Sequence, residues 1–348
     1  MNAVFATPPR PFDITALLPQ LAPLARTATR LHPRPGSPTV HDSSVGGPLL
    51  WPADAPWPYC DEPHDSRAAP VVHSPDDVRL LRHDRAAAAE RRRLDPEAPQ
   101  WTPEERATWD RLADRPWFDG PIPLLPVAQL YARDVPFPCP PDADLLQVLW
   151  CPFDHAEHAS PRTALFWRSS ATVRDVLEVP PEPPIVQRDC YLPEPCLFSP
   201  EQVTEYPHPS ELDEELQDQL DDMSRWESID PARYNAYADD PGELYLNNLS
   251  TAPGWKTGGW SSWPRTDPKP RPCPECGTEE VPLLTIASSE WDGGSETWIA
   301  EEEAANPAPP PLGARYGNFT LIDIVGGYNL QLHACPADPS HPHIELVP

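Results

Sequence analysis

The sequence is poor in the features that mark membranes, nucleic acids and common cofactors. No stretch approaches the roughly 18 consecutive apolar residues of a membrane span. The start, MNAVFATPPRPFDITALL, lacks a basic segment followed by an unbroken apolar one, so no secretory signal is expected and the expected location is cytoplasmic. There is no GxGxxG, P-loop, GxSxG or HExxH pattern. Basic residues are scarce, with 26 Lys and Arg against 54 Asp and Glu, a formal net charge of -28 and a pI near 4.6. Such a field repels phosphates and anionic membranes, and it suits a protein partner with a basic surface. Glycine is also sparse, 15 residues against 54 prolines, which argues against long uninterrupted helices and for short strands, turns and loops.

What is present argues for a folded core. The hydrophobic fraction is low at 39%, yet 13 tryptophans supply large buried surfaces, so the proline content is not read as disorder. Eight cysteines in a reducing compartment are metal ligands or buried thiols before they are disulfides.

Along the chain, residues 1–40 read as a proline-broken helix followed by turns, with Asp13 as N-cap and Leu17, Leu18, Leu21 and Leu24 at helical spacing. Residues 41–170 read as a β-rich module carrying a charged helical insertion at about 64–118. In that insertion Thr102-Pro103-Glu104-Glu105 forms an N-cap and first turn. Residues 171–250 read as a proline-rich connector holding one acidic helix, capped by Ser210 and striped by Leu212, Leu216, Leu220 and Met223. Residues 251–348 return to short strands and turns, with EEEAANPAPPP as a mobile loop.

Three signatures recur in the same order. GGPLLWP at Gly46–Pro52 matches GGWSSWP at Gly258–Pro264, PLLPVAQL at Pro123 resembles PLLTIASS at Pro282, and LQVLWCP at Leu146–Pro152 matches LQLHACP at Leu330–Pro336. The expected fold is therefore mainly β, two related β-rich modules from an internal duplication, with helical insertions.

The cysteines give the chemistry. CPECG at Cys273–Gly277 is a C-x-x-C knuckle, and zinc takes four thiolate or imidazole ligands in a tetrahedron. Cys273, Cys276 and Cys335 with His341 make the expected set; His343 and His333 are the other candidates for the fourth position. A redox C-x-x-C would need a βαβ setting, which is lacking. By the LQ-x-x-x-CP frame Cys151 corresponds to Cys335, so a sister site is expected from Cys60, His64, Cys151 and His155. Four protein ligands leave no open position for water, so the zinc is expected to be structural and no catalytic residue is assigned. Other constellations are weaker. His41, Asp42 and Ser43 are adjacent, which suits a polar turn better than a triad. Cys190 and Cys196 could meet across a turn but have no further local ligands. The tryptophans of GWKTGGWSSWP read as core plugs before a binding groove.

Taken together, VGGPLLWPADAPWP, PLLPVAQLYARDVP, LLQVLWCP, KTGGWSSWP, CPECGTEEVPLLTIAS and VGGYNLQLHACP resemble the YwqG-like family, bacterial proteins with a domain of unknown function. The similarity runs over about 40–170 and 250–348; the helical insertion, the long connector and the extra cysteines depart from it. The resemblance implies a roll-like β fold, no established enzymatic activity and, from genomic context, an association with toxin–immunity loci. The expected function is a non-enzymatic, zinc-stabilised binding protein that neutralises a toxin. The alternative is a metal-dependent, hydrolase-like enzyme with an open Cys/His site.

Overall fold

The computed structural model describes residues 5–69, 71–155, 159–227, 241–305 and 315–348. Among these residues the chain is β-rich, with two six-stranded antiparallel sheets and a two-stranded one. The first sheet runs, edge to edge, Arg34–Pro35, Cys196–Leu197, Ser44–Val45, Leu125–Tyr131, Leu145–His155 and Ser160–Arg168. The second runs Glu201–Glu205, Arg26–Arg30, Lys256–Gly258, Val281–Ala287, Asn329–Ala334 and Ile344–Leu346. Tyr59–Cys60 pairs with Ile122–Pro123.

The two large sheets share one register. In the first, Pro126 lies opposite Leu149 and Ala128 opposite Val148, with an irregularity between; in the second, Pro282 lies opposite His333 and Leu284 opposite Leu332, again with an irregularity between. Proline cannot donate to a ladder, and a bulge is where a strand accommodates it. Gln129 then faces Gln147, as Thr285 faces Gln331. On the neighbouring strands Ser44 pairs with Gln129 and Lys256 with Thr285. Pro126 thus stands where Pro282 stands, three residues from where the PLL frames would place it. The side chains agree with the register: Gln147 donates Nε2 to Leu50 O at 3.0 Å, and Gln331 donates Nε2 to Ser262 O at 3.0 Å. The glycines that open both WP turns, Gly46 and Gly258, have φ of +60° and +67°; at Gly46 a Cβ would also meet Pro193 O at 2.9 Å.

Segments 1–40 and 171–250 each supply a strand to both sheets. Arg26–Arg30 joins the second sheet and Arg34–Pro35 the first; Cys196–Leu197 joins the first and Glu201–Glu205 the second. The crossing is reciprocal, because Arg30 pairs with Glu201 and Arg34 with Leu197. One apolar core lies between the sheets, with Val127, Val148 and Trp150 from one and Ile286, Leu330 and Leu332 from the other. Strand alternation then turns Gln147, Leu149 and Cys151, and likewise Gln331 and His333, to the opposite faces.

Local signals resolve as follows. Asp13 caps Ile14–Leu17 by accepting the Thr15 N–H at 3.0 Å, and Pro19–Leu24 is a 3₁₀ turn. The insertion holds helices Pro75–Leu94 and Pro103–Leu112, each opened by a capping box, at Ser74/Asp77 and Thr102/Glu105. The acidic helix is Glu214–Asp221, capped by Asp213 rather than Ser210, because Asp213 Oδ1 accepts the Leu216 N–H at 2.9 Å. Ser210 instead sits in a 3₁₀ turn beside His208, whose Nδ1 lies 2.7 Å from its hydroxyl. Leu212, Leu216 and Leu220 are buried, whereas Met223 is 41% exposed in the next short helix. Glu301–Ala305 is helical; the remainder of the expected loop, 306–311, lies outside the described residues.

Candidate metal centres

Two four-residue sets bring their donor atoms together. Cys60, His64, Cys151 and His155 form one and Cys273, Cys276, Cys335 and His341 the other, with the donor atoms of each set within 4.8 Å of one another.

The first set is assembled by two irregular pieces of sheet. Cys60 ends the short strand paired with Ile122–Pro123, and the turn after it carries His64. Cys151 and His155 lie on Leu145–His155, where four residues of regular strand would separate them by about 13 Å. The strand is not regular there: Trp150 pairs with Thr163 and Asp154 with Pro161, so four steps face two. That bulge bends the chain and brings His155 back toward Cys151. His64 Nε2 lies 3.2 Å from Cys151 Sγ and 3.8 Å from Cys60 Sγ, and His155 Nε2 lies 3.9 Å from Cys60 Sγ. Phe153 packs against the His64 ring at 4.4 Å between centroids.

The second set uses a tight knuckle. Gly277 N–H donates to Cys273 O and Cys273 N–H to Thr278 O, both at 2.8 Å, and Gly277 has φ +73°, which favours glycine. Pro272 bridges Glu279 beneath the knuckle, as Tyr59 pairs with Pro123 beneath Cys60. Cys335 directly follows the strand Asn329–Ala334. A turn in which Asp338 accepts from Ser340 and His341 N–H then folds His341 back. Cys273 Sγ lies 3.4 Å from His341 Nδ1, and Cys276 Sγ lies 3.4 Å from Cys335 Sγ, well beyond a disulfide bond of about 2.05 Å. His341 is the histidine placed with these thiols. His333 is buried and faces Ser261 Oγ at 3.0 Å, and His343 faces Thr163 Oγ1 at 2.7 Å.

These spacings fit a metal. Zinc bonds of about 2.0–2.3 Å in a tetrahedron put neighbouring ligand atoms about 3.3–3.8 Å apart, and the observed contacts run from 3.2 to 3.9 Å. Thiolate and imidazole donors suit a borderline-soft ion and not calcium or magnesium. In each set one thiol is lowered and one is raised. Cys60 is held down at about 3, chiefly because Cys151 donates to it, with His155 and His64 alongside. Cys151 is pushed up by holding that proton against Cys60, and by burial. In the second set Cys276 is lowered to about 6 by donation from the Thr278 hydroxyl and N–H, while burial pushes Cys335 up. One proton serves two sulfurs in a space where a cation would serve both.

Sequence reasoning missed the carboxylates behind the histidines. Glu62 Oε2 lies 3.0 Å from His155 Nδ1, leaving Nε2 toward the sulfurs. Glu275 Oε2 lies 3.5 Å from His341 Nε2, leaving Nδ1 toward Cys273. Such partners fix the tautomer and orientation of a ligating imidazole. The signal was there to be read, since both glutamates lie two residues after the first cysteine, in CDE and CPE.

The weaker constellations resolve without chemistry. Asp42 accepts from Thr39 N–H and Oγ1, closing a turn, and Ser43 donates to Asp134 at 2.7 Å. Cys190 and Cys196 donate separately to Asp323 O and Phe319 O. Trp255 is buried, donating to Ala287 O at 3.0 Å; Trp263 is 5% exposed, and the Arg26 guanidinium lies over Trp260. No helix among the described residues is long and apolar enough to cross a membrane. No protein-family model matches the sequence, and no match to a curated protein was found.

Proposed function

We propose that each Cys/His set holds one structural zinc ion and that the chain is a zinc-stapled binding protein rather than an enzyme. The observation that carries this reading is the closed donor set: four protein ligand atoms within 4.8 Å of one another at both centres. Four protein ligands complete a zinc tetrahedron and leave no position for a substrate. The two centres belong to two halves related by an internal duplication that packs as a roll-like β structure. The matching bulges, the paired glutamine contacts and the reciprocal strand crossing support that relation.

The binding role rests on charge. A net charge of -28 favours a basic protein surface as partner, in a cytoplasmic setting, and the YwqG-like resemblance makes a toxin the candidate. Metal analysis of the full chain together with affinity capture from the native host tests both parts. Two zinc ions and a basic protein partner support the reading. A centre with three protein ligands and an exchangeable water would overturn it in favour of a metal-dependent hydrolase.

A further inference from the structure

A cleft of about 790 Å³ lies away from both metal centres, and none of the eight Cys/His ligands lines it. One wall is the inserted helix Pro75–Leu94, which presents Arg79, Arg82 and Arg85 at three-residue spacing, so that they lie along one side. The opposite wall is the segment 315–326, contributing Arg315, and the floor is 188–194 with Arg188. Five arginines line it together with three carboxylates (Asp189, Glu194 and Asp323), a concentration of arginine in a chain whose net charge is -28.

The arginines are held but not used up. Arg82 is fixed by Glu194 at 3.1 Å and by the carbonyls of Asp189 and Leu192. Arg85 Nη1 donates to Asp189 Oδ2, Arg188 Nη2 to Asp154, and Arg315 uses Nε and Nη2 on Asp323 and Gly326 O. Arg79 is paired with Asp76 and Glu182. Arg85 Nη2, Arg188 Nη1 and Arg315 Nη1 have no partner among the described residues. A guanidinium fork whose orientation is already set is the group that binds carboxylate or phosphate oxygens in pairs.

The 315–326 wall carries a second signal. Leu321 and Val325 have φ of +54° and +48°, a region costly for any side chain and an outlier for a β-branched one. The wall is held in this shape from the floor side: Glu194 N–H donates to Thr320 O at 2.7 Å, and Cys190 Sγ to Asp323 O. Phe319 and Leu321 give the cleft an apolar side. Its volume is that of a small-molecule site.

We infer that this cleft binds a small organic oxyanion of at least two negative charges, with a partly apolar body, between the inserted helix and the 315–326 loop. Phosphate and carboxylate share this chemistry, so two probes separate the sources: ADP for a diphosphate and glutarate for a dicarboxylate. Calorimetric titration of the full, metal-loaded chain is expected to give saturable one-site binding with at least one probe, weakening as salt rises. The variant Arg188→Gln/Arg315→Gln changes two side chains that are about half exposed and should melt as the wild type does. It is expected to bind at least tenfold more weakly. Arg93→Gln, on the same helix but outside the cleft and paired with Glu90, should bind normally. Should the double variant fail to fold, Arg315→Gln alone, which removes an unpartnered Nη1, is expected to weaken binding at least threefold. Absence of binding by both probes, or unchanged affinity in a folded cleft variant, overturns the inference.

Discussion

The two candidate metal centres occupy corresponding corners of two alike sheets, yet they do not offer the same donors. The first half offers C-x3-H and two sulfurs in all; the second offers C-x2-C and three sulfurs. With zinc bound, the first would be neutral and the second would carry one negative charge. Their sulfurs are also covered differently: one of two is buried in the first set, and two of three in the second. Cys151 belongs to an apolar cluster with Trp51, Trp57 and Phe153, whereas Cys276 is exposed. The comparison teaches that the frame, the cysteine of an LQ-x-x-x-CP strand facing a Cys-led turn with a glutamate near the histidine, is shared while a ligand identity is not. It also implies unequal stability of the two centres.

The largest expected effect is at Cys151, the buried sulfur of the first set. Structural zinc contributes about 10–16 kcal/mol of apparent binding free energy in zinc-finger peptides. Cys151→Ser should therefore remove one zinc and lower Tm by more than ~10 °C, or leave no soluble protein. A Cys151→Ser protein with full zinc content and unchanged melting would break the comparison at its root. Cys276→Ser should be milder, with one zinc lost and Tm lowered by about 5 °C, because its sulfur is solvent-facing. An order of severity opposite to this would show that exposure does not grade the two centres. In the same sense, a chelator is expected to withdraw metal in two phases of equal amplitude, the faster lost in Cys276→Ser.

Next in size is the carboxylate behind each histidine. Glu62→Gln keeps the shape but weakens orientation of His155, so zinc affinity at the first centre should fall about 10–100-fold with little change in the second. Competition against a zinc indicator measures this, and equal loss at both centres would contradict independent sites.

A last effect, absent at pH 7, separates acid release of metal from general acid loss of stability. His208 belongs to neither centre, and burial holds it neutral down to about 4 against about 6.5 when unfolded. As pH falls below 6.5 the unfolded chain takes up a proton that the folded chain refuses. The contribution is therefore complete above pH 6.5 and is lost toward pH 4, at up to about 1.4 kcal/mol per pH unit. His208→Gln should flatten stability over that window without altering zinc content; denaturant melts at pH 7 and 5 read it, and an unchanged slope would assign the acid sensitivity elsewhere.

Much of the candidate site was legible because cysteine is rare and its spacing is short-range: CPECG, CDEPH and the two CP corners name the cysteines without any fold, whereas the choice of His341 over His343 and His333 needed the turn at Asp338. Helix starts were legible where a capping side chain sits three residues before its partner, as at Thr102. Ser210 was misjudged because Asp213 is an equally good cap nearer the apolar stripe. The strand crossing was not legible. Arg34–Pro35 and Cys196–Leu197 are two-residue strands, too short for any periodicity, and their pairing is set by contacts across more than 150 residues. The three-residue offset between the PLL frames was hidden for a related reason. The structure aligns prolines by the bulge that tolerates them, whereas the letters align by local likeness.

The central claim is two zinc centres in one chain, and metal content of the purified full-length protein per folded chain tests it most directly. The account predicts two zinc ions, falling to one in Cys276→Ser and to one or none in Cys151→Ser. A folded wild-type protein carrying no zinc, or one ion that survives both substitutions, would contradict it.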